Sequence, residues 1–129
     1  MGTSFEDLEV RAKSCRLSVR LYKLLRDCRD YAMKDQMLRS SISIPSSIAE
    51  GSERKSIPDF QRFINIAQKS AVDLRAQIYI SRELNIFSDL DAKELIQDLK
   101  SISKTLQSLH GSLKKPLTDN RERLQQKGR

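Results

Sequence analysis

Residues 89–113 read DLDAKELIQDLKSISKTLQSLHGSL, and the spacing of their apolar side chains decides the fold. Leu95, Leu99, Ile102, Leu106, Leu109 and Leu113 step by 4, 3, 4, 3 and 4 residues, the seam of a helix that packs against others in a bundle. Ser88-Asp89-Leu90-Asp91 supplies a start signal: a serine that can accept from free backbone N–H groups, with acids near the positive end of the helix dipole. Ser56-Ile57-Pro58-Asp59 repeats the signal upstream, with a proline that the first turn tolerates. The helix it opens is predicted to run to about Leu84. Phe60, Ile64, Ala67, Ala71, Leu74, Ile78 and Ser81 lie on its inner face, and Phe63, Ile66 and Ile80 widen it. Residues 85–88 form the next short turn.

Working toward the N-terminus, residues 5–29 carry two apolar stripes. Leu8, Ala12, Cys15, Val19, Tyr22 and Leu25 make one, and Val10, Leu17, Leu21, Leu24 and Cys28 the other. A helix apolar over most of its circumference in so small a chain is expected to be shared between a core and a subunit interface. Residues 34–50 carry Met37, Leu38, Ile42, Ile44, Ile48 and Ala49 around Pro45. The proline removes one backbone hydrogen bond, so a kink or short break is expected near 41–45. Ser40, Ser41, Ser43, Ser46 and Ser47 are small enough for close helix approach, and their hydroxyls can serve carbonyls the proline leaves open. Gly51 is placed as a C-terminal cap, with a loop over 51–56.

Long helices on short connections imply antiparallel neighbours. The fold class is therefore all-α, an antiparallel up-down-up-down four-helix bundle over residues 1–115, followed by a basic, disordered C-terminal tail over 116–129. Composition agrees, since 129 residues make one domain and four Gly, three Pro and 5% aromatics favour helices. With 32% charged residues and no apolar run near the roughly 18 residues a bilayer needs, no membrane segment or signal peptide is expected, and the expected location is cytoplasmic. Cys15 and Cys28 would stand about 20 Å apart on one helix, too far for a disulfide, and are expected as reduced core residues. One His and two Cys do not supply a closed zinc site, and no glycine loop cradles a phosphate, so neither metal nor cofactor is expected. No Ser or Cys has the partners of a nucleophile triad. His110, beside Gly111, is placed at a helix end, and Tyr22, Tyr31 and Tyr79 in the core or an interface. The chain is expected not to be an enzyme.

The formal net charge is +7, from 24 Lys+Arg against 17 Asp+Glu. Residues 114–129 hold +4 of it, beginning with Lys114 and Lys115, whereas 70–113 are net −1. A basic tail of low apolar content suits a nucleic-acid arm, because neutralising phosphates releases counterions without fixed geometry. Lys13, Arg16, Arg20 and Lys23 fall within about 80° of one another on a helical wheel, either a solvated face or a row that a polyanion could meet. With no zinc finger, RNP-like motif or basic zipper, backbone or shape recognition is the expected mode.

Ser43-Ile44-Pro45-Ser46-Ser47-Ile48-Ala49-Glu50-Gly51-Ser52-Glu53-Arg54 resembles the signature, approximately S-I-P-x-N-I-A-E-G-x-x-R, of the four-helix-bundle family encoded within intervening sequences of bacterial 23S rRNA genes. The resemblance extends over roughly residues 5–110, through Phe5-Glu6-Asp7-Leu8-Glu9-Val10, Leu38-Arg39, Asp59-Phe60 to Phe63, Ile66-Ala67, Ser70 and Asp73-Leu74 with Gln77 and Tyr79. Arg11 stands where the family often has tryptophan, Ser47 where it has asparagine, and Lys69 where it has glycine. The resemblance implies a ring-like homopentamer without established enzymatic activity. It marks Arg39, Pro45, Glu50, Gly51 and Arg54 as a structural signature in which Glu50 pairs with Arg39 or Arg54. The chain is also distantly similar to the accessory protein of diversity-generating retroelements, a basic pentamer that binds nucleic acid and engages a reverse transcriptase.

Two functions follow as expectations. The first is a non-enzymatic homo-oligomer that binds nucleic acid, structured RNA such as 23S rRNA or its intervening sequence, through Lys13, Arg16, Arg20, Lys23, Arg54, Lys55, Lys114 and Lys115. Repetition around a ring would multiply weak contacts to one polyanion. The alternative is a protein-interaction scaffold, an accessory subunit for a nucleic-acid enzyme such as a reverse transcriptase.

Overall fold

The computed structural model describes residues 5–127, with side chains described for 7–113. It consists of α1 (Phe5–Leu24), α2 (Tyr31–Ser52), α3 (Ile57–Glu83) and α4 (Asp89–Lys127), with no strand among the described residues. Consecutive helices pack side by side and α4 closes on α1, so α1 lies diagonally across the bundle from α3. The α2–α3 interface is the most extensive and α1–α4 the least. This is the expected four-helix bundle. Residues 114–127 of α4 lie beyond the described side chains, as do the expectations placed on Lys114, Lys115 and the 116–129 tail.

The helix starts follow the sequence signals. Ser56 Oγ accepts from Asp59 N at 3.2 Å and Ser88 Oγ from Asp91 N at 3.1 Å. The predicted inner face of α3 is buried from Phe60 to Ser81, and the α4 seam is buried from Leu95 to Leu109, with Leu113 packed at its edge. Ile66 and Ile80 instead face outward. Helix α1 ends at Leu24, short of the predicted Arg29, because the next helix has its own cap: Asp30 Oδ1 accepts from Met33 N at 3.1 Å.

The second of the two stripes enters the core, joined from the first by Leu25 alone among the described residues. Val10, Leu17, Leu21 and Leu25 are buried beside Ser14 and Ser18, whereas Leu8, Ala12, Cys15, Val19 and Tyr22 are exposed. Cys15 is therefore a free surface cysteine, and Cys28, also free, sits half-buried in the turn beyond the helix. Tyr22, Tyr31 and Tyr79 are likewise exposed in the chain, not in its core.

Pro45 does not break α2, which runs continuously from Tyr31 to Ser52. A proline cannot donate to the carbonyl four residues earlier, here Ser41. The missing donor comes from another helix: Ser18 Oγ of α1 bonds to Ser41 O at 3.1 Å in a buried position. The neighbouring serines have other tasks. Ser41 Oγ donates to Leu38 O at 2.9 Å, and Ser43 and Ser70 share a 2.8 Å hydroxyl pair between α2 and α3.

Gly51 lies inside α2 with no positive φ, so it is not the cap; that position belongs to Glu53. Its reason is proximity. A Cβ at Gly51 would stand 2.7 Å from Phe63 Cβ and 2.9 Å from Phe60 Cδ1, so the absence of a side chain lets α3 press against α2. His110 is within α4, not at its end, and its carbonyl accepts from Gln61 Nε2 at 3.2 Å. Asp7 is fully buried 3.3 Å from Arg11 Nε; burial raises its pKa above the ordinary carboxylate value while Arg11 pulls it back.

Candidate nucleic-acid interface

The four cations predicted on α1 do lie along one edge, the edge that faces α4, but they are not equivalent. Lys13 Nζ donates to Ser101 Oγ of α4 at 2.6 Å. Arg20 Nη2 is paired with Glu94 Oε1 at 2.6 Å and Asp91 Oδ1 at 3.4 Å, and the hydrogen bond to Glu94 raises its already high pKa. Arg20 thus fastens α1 to α4, and its charge is already compensated. Arg16 and Lys23 are exposed and form no ion pair among the described residues. With Cys15, Val19 and Arg20 they line a shallow surface depression of about 410 Å³.

The signature residues form a tight corner between α2 and α3. Arg54 Nη2 meets Glu50 Oε1 at 3.0 Å and Arg54 Nε lies 3.8 Å from Asp59 Oδ2. Arg62 binds the same carboxylate through Nε at 3.2 Å and Nη2 at 3.1 Å. Both guanidinium groups lie against the Phe63 ring, at 4.7 and 4.5 Å from its centre, which places two cations over one quadrupole. Of the two partners open to Glu50, the structure chooses Arg54. Arg39 is paired with Asp35 at 2.6 Å, and eleven residues along a helix put it about 16 Å from Glu50. These groups do not converge on a reacting centre, and among the described residues Lys55 is the cation at this corner without an acidic partner.

Sequence reasoning missed two cationic surfaces. The outer face of α4 carries Lys93, Gln97, Lys100, Lys104 and Gln107, all exposed, with no ion pair on these lysines among the described residues. Asp91 and Glu94 lie on the side toward α1, where they hold Arg20, while Asp89 shares the outer face one turn before Lys93. A charge count by segment reads −1 and conceals this segregation; a count by helical face would have found it. The second surface is the turn between α1 and α2, where Arg26, Arg29 and Lys34 gather because α1 stops early. No group of three or more His, Cys, Asp or Glu side chains is placed to hold a metal ion among the described residues. No described helix is long and apolar enough to cross a membrane.

Two exposed apolar faces accompany the charge. Leu8, Ala12, Cys15, Val19 and Tyr22 step by 4, 3, 4 and 3 along α1, and Val72, Tyr79, Ile80 and Leu84 occupy the outer side of α3. The geometry is that of a small helical bundle with unpartnered apolar helix faces on diagonal corners and cations segregated between them. The chain belongs to the 23S rRNA-intervening sequence protein family, whose sequence pattern matches residues 6–108. A solved structure of a protein of unknown function from the S23 ribosomal protein family of Bacteroides thetaiotaomicron VPI-5482 is similar, with a TM-score of 0.74 and 28% identity, covering 78% of this chain and 97% of that one. No curated protein matches the chain.

Proposed function

We propose that this chain is a non-enzymatic, cytoplasmic, homo-oligomeric protein that binds structured RNA such as 23S rRNA or its intervening sequence. The observation that carries the reading is the segregated charge. Arg16 and Lys23 on α1 and Lys93, Lys100 and Lys104 on α4 are exposed cations without acidic partners among the described residues, on two adjacent helices. Rows of this kind follow a phosphate backbone and need no base-specific geometry. Lys100 and Lys104 are one helical turn apart, about 6 Å, and Lys93 lies about 10 Å further along. Lys13, Arg20 and Arg54 contribute less, because the first is hydrogen-bonded and the two arginines are already paired, and Lys55 lies between α2 and α3, on neither row.

Assembly belongs to the same reading. Apolar faces on diagonal helices α1 and α3 suit a head-to-tail ring, in which one face of each subunit meets a different face of the next. A pentamer is what the family resemblance implies, and five copies of a weak row give avidity to one long polyanion. The test is charge reversal, Arg16→Glu with Lys23→Glu, in the full chain. Helicity should be unchanged, and binding to an RNA hairpin should be lost even in the fraction that sedimentation velocity shows to be assembled; retained binding removes this surface from the account. The exposed α1 face favours one second reading, a scaffold for a protein partner such as a reverse transcriptase. A copurifying protein that stays bound through nuclease and high salt would select it.

A further inference from the structure

The cations at the α1–α2 turn are not used by the rows on α1 and α4. Leu25 is anchored in the core, and Cys28 N donates to Leu25 O at 3.0 Å, which closes the turn. Lys34 Nζ reaches back to Arg26 O at 3.4 Å. The backbone is thereby held, and Arg26 and Arg29 are left exposed with no ion pair among the described residues. Two depressions flank Cys28. One of about 340 Å³ is lined by Arg26, Asp27, Cys28, Arg29, Tyr31 and Lys34. The other, of about 360 Å³, reaches Asn85 and Ile86 of the α3–α4 turn, and Arg29 borders both. Tyr31 stands at the rim with 71% of its surface exposed. Of the two acids here, Asp30 caps α2 and Asp27 borders both depressions, which leaves three cations against one free carboxylate among the described residues.

We propose that this turn is a binding site for unpaired RNA nucleotides. Arg26, Arg29 and Lys34 take the phosphates, and a base stacks on the Tyr31 ring in the depression beside it. The inference rests on the RNA reading above and specifies which part of an RNA this end of the bundle holds. An exposed aromatic ring interleaved with cations around a nucleotide-sized hollow favours a base with its phosphate over an acidic peptide, which offers charge without a flat face. A duplex keeps its bases stacked on one another and cannot use the tyrosine.

The test uses the full chain and two fluorescent probes at about 0.15 M salt: a single-stranded uridine decamer and a blunt RNA duplex of equal charge, read by anisotropy. Tyr31→Ala should weaken the single strand by about tenfold or more and leave the duplex unchanged, and Tyr31→Phe should restore binding. Arg26→Gln and Arg29→Gln should each lower the slope of log affinity against log salt by about 0.7. If the wild type binds RNA and these variants bind the single strand as it does, the site is wrong and the rows on α1 and α4 stand. Competition by poly-glutamate as effective as that by unlabelled uridine decamer would overturn the nucleotide assignment. Absence of any RNA binding by the wild type would remove both readings together.

Discussion

Helices α2 and α3 meet so closely at Gly51 that one methyl group should separate the correct packing account from the capping account. In Gly51→Ala the new Cβ would stand 2.7 Å from Phe63 Cβ, an atom fixed to its backbone that cannot swing aside. Relief requires α2 and α3 to move apart. Overpacking of this kind costs about 1–3 kcal/mol, and the rigid neighbour places it near the upper end. The intrinsic helix gain of alanine over glycine, about 1 kcal/mol, opposes it. The net expectation is a loss of about 2 kcal/mol. Gly111 is the internal control: it too lies inside a helix, but nothing stands within 4 Å of its Cβ position, so Gly111→Ala should gain about 1 kcal/mol. Urea unfolding followed by circular dichroism, at one fixed protein concentration because assembly couples to stability, reads both changes. The two midpoints should move in opposite directions. A Gly51→Ala variant as stable as wild type, or more so, would refute the close crossing.

Other residues make sharp predictions of their own. Ser18→Ala leaves the Ser41 carbonyl buried without its donor and should cost about 1–3 kcal/mol; adding Pro45→Ala, which restores a backbone N–H, should recover part of that loss in a double-mutant cycle. Asp7 has a raised pKa in the folded chain, so the native state binds its proton more tightly than the unfolded state does. The Asp7 contribution to stability is therefore full below the ordinary value of 3.8 and is lost as pH rises through the native value; Asp7→Asn should remove that component from unfolding curves taken across pH. Arg20→Gln should change RNA affinity less than Arg16→Gln does, because Glu94 and Asp91 already hold the Arg20 charge; equal losses in a binding titration would contradict that assignment. Val19→Glu places a charge on the exposed α1 face and should shift the assembly toward monomer in sedimentation velocity without loss of helicity.

The bundle was legible because its decisive signals are local. Seam spacing in α4, serine caps at Ser56 and Ser88, and the inner face of α3 are all set within one helix, and each is found where the pattern placed it. The misreadings concern contacts between helices. Pro45 looked like a break because its missing bond is made by Ser18, 27 residues earlier in the sequence on another helix. Gly51 looked like a cap because glycine favours helix ends, whereas the space it leaves is filled by Phe60 and Phe63. Cys15 looked like core because periodicity identifies an apolar face without saying what covers it.

The candidate interface divides the same way. The α1 cation row was visible on a helical wheel, but Arg20's commitment to Glu94 and Asp91 depends on a helix more than seventy residues away in sequence. The α4 lysines were hidden by a balanced segment charge, and Arg26 and Arg29 by a helix end placed about five residues too late. In each case the residue types were plain and their partners were not.

The central claim, that folded basic surfaces of this chain recognise structured RNA, is tested most directly by a salt titration of the wild-type protein. Affinity for an rRNA-insertion hairpin would be measured beside a scrambled RNA of the same length. If about five cations meet phosphates, log affinity should fall against log salt with a slope of about −4 to −5 per chain, and the hairpin should remain preferred at physiological salt. Equal binding of both RNAs, vanishing together as salt rises, would contradict the claim and reduce the +7 charge to generic attraction.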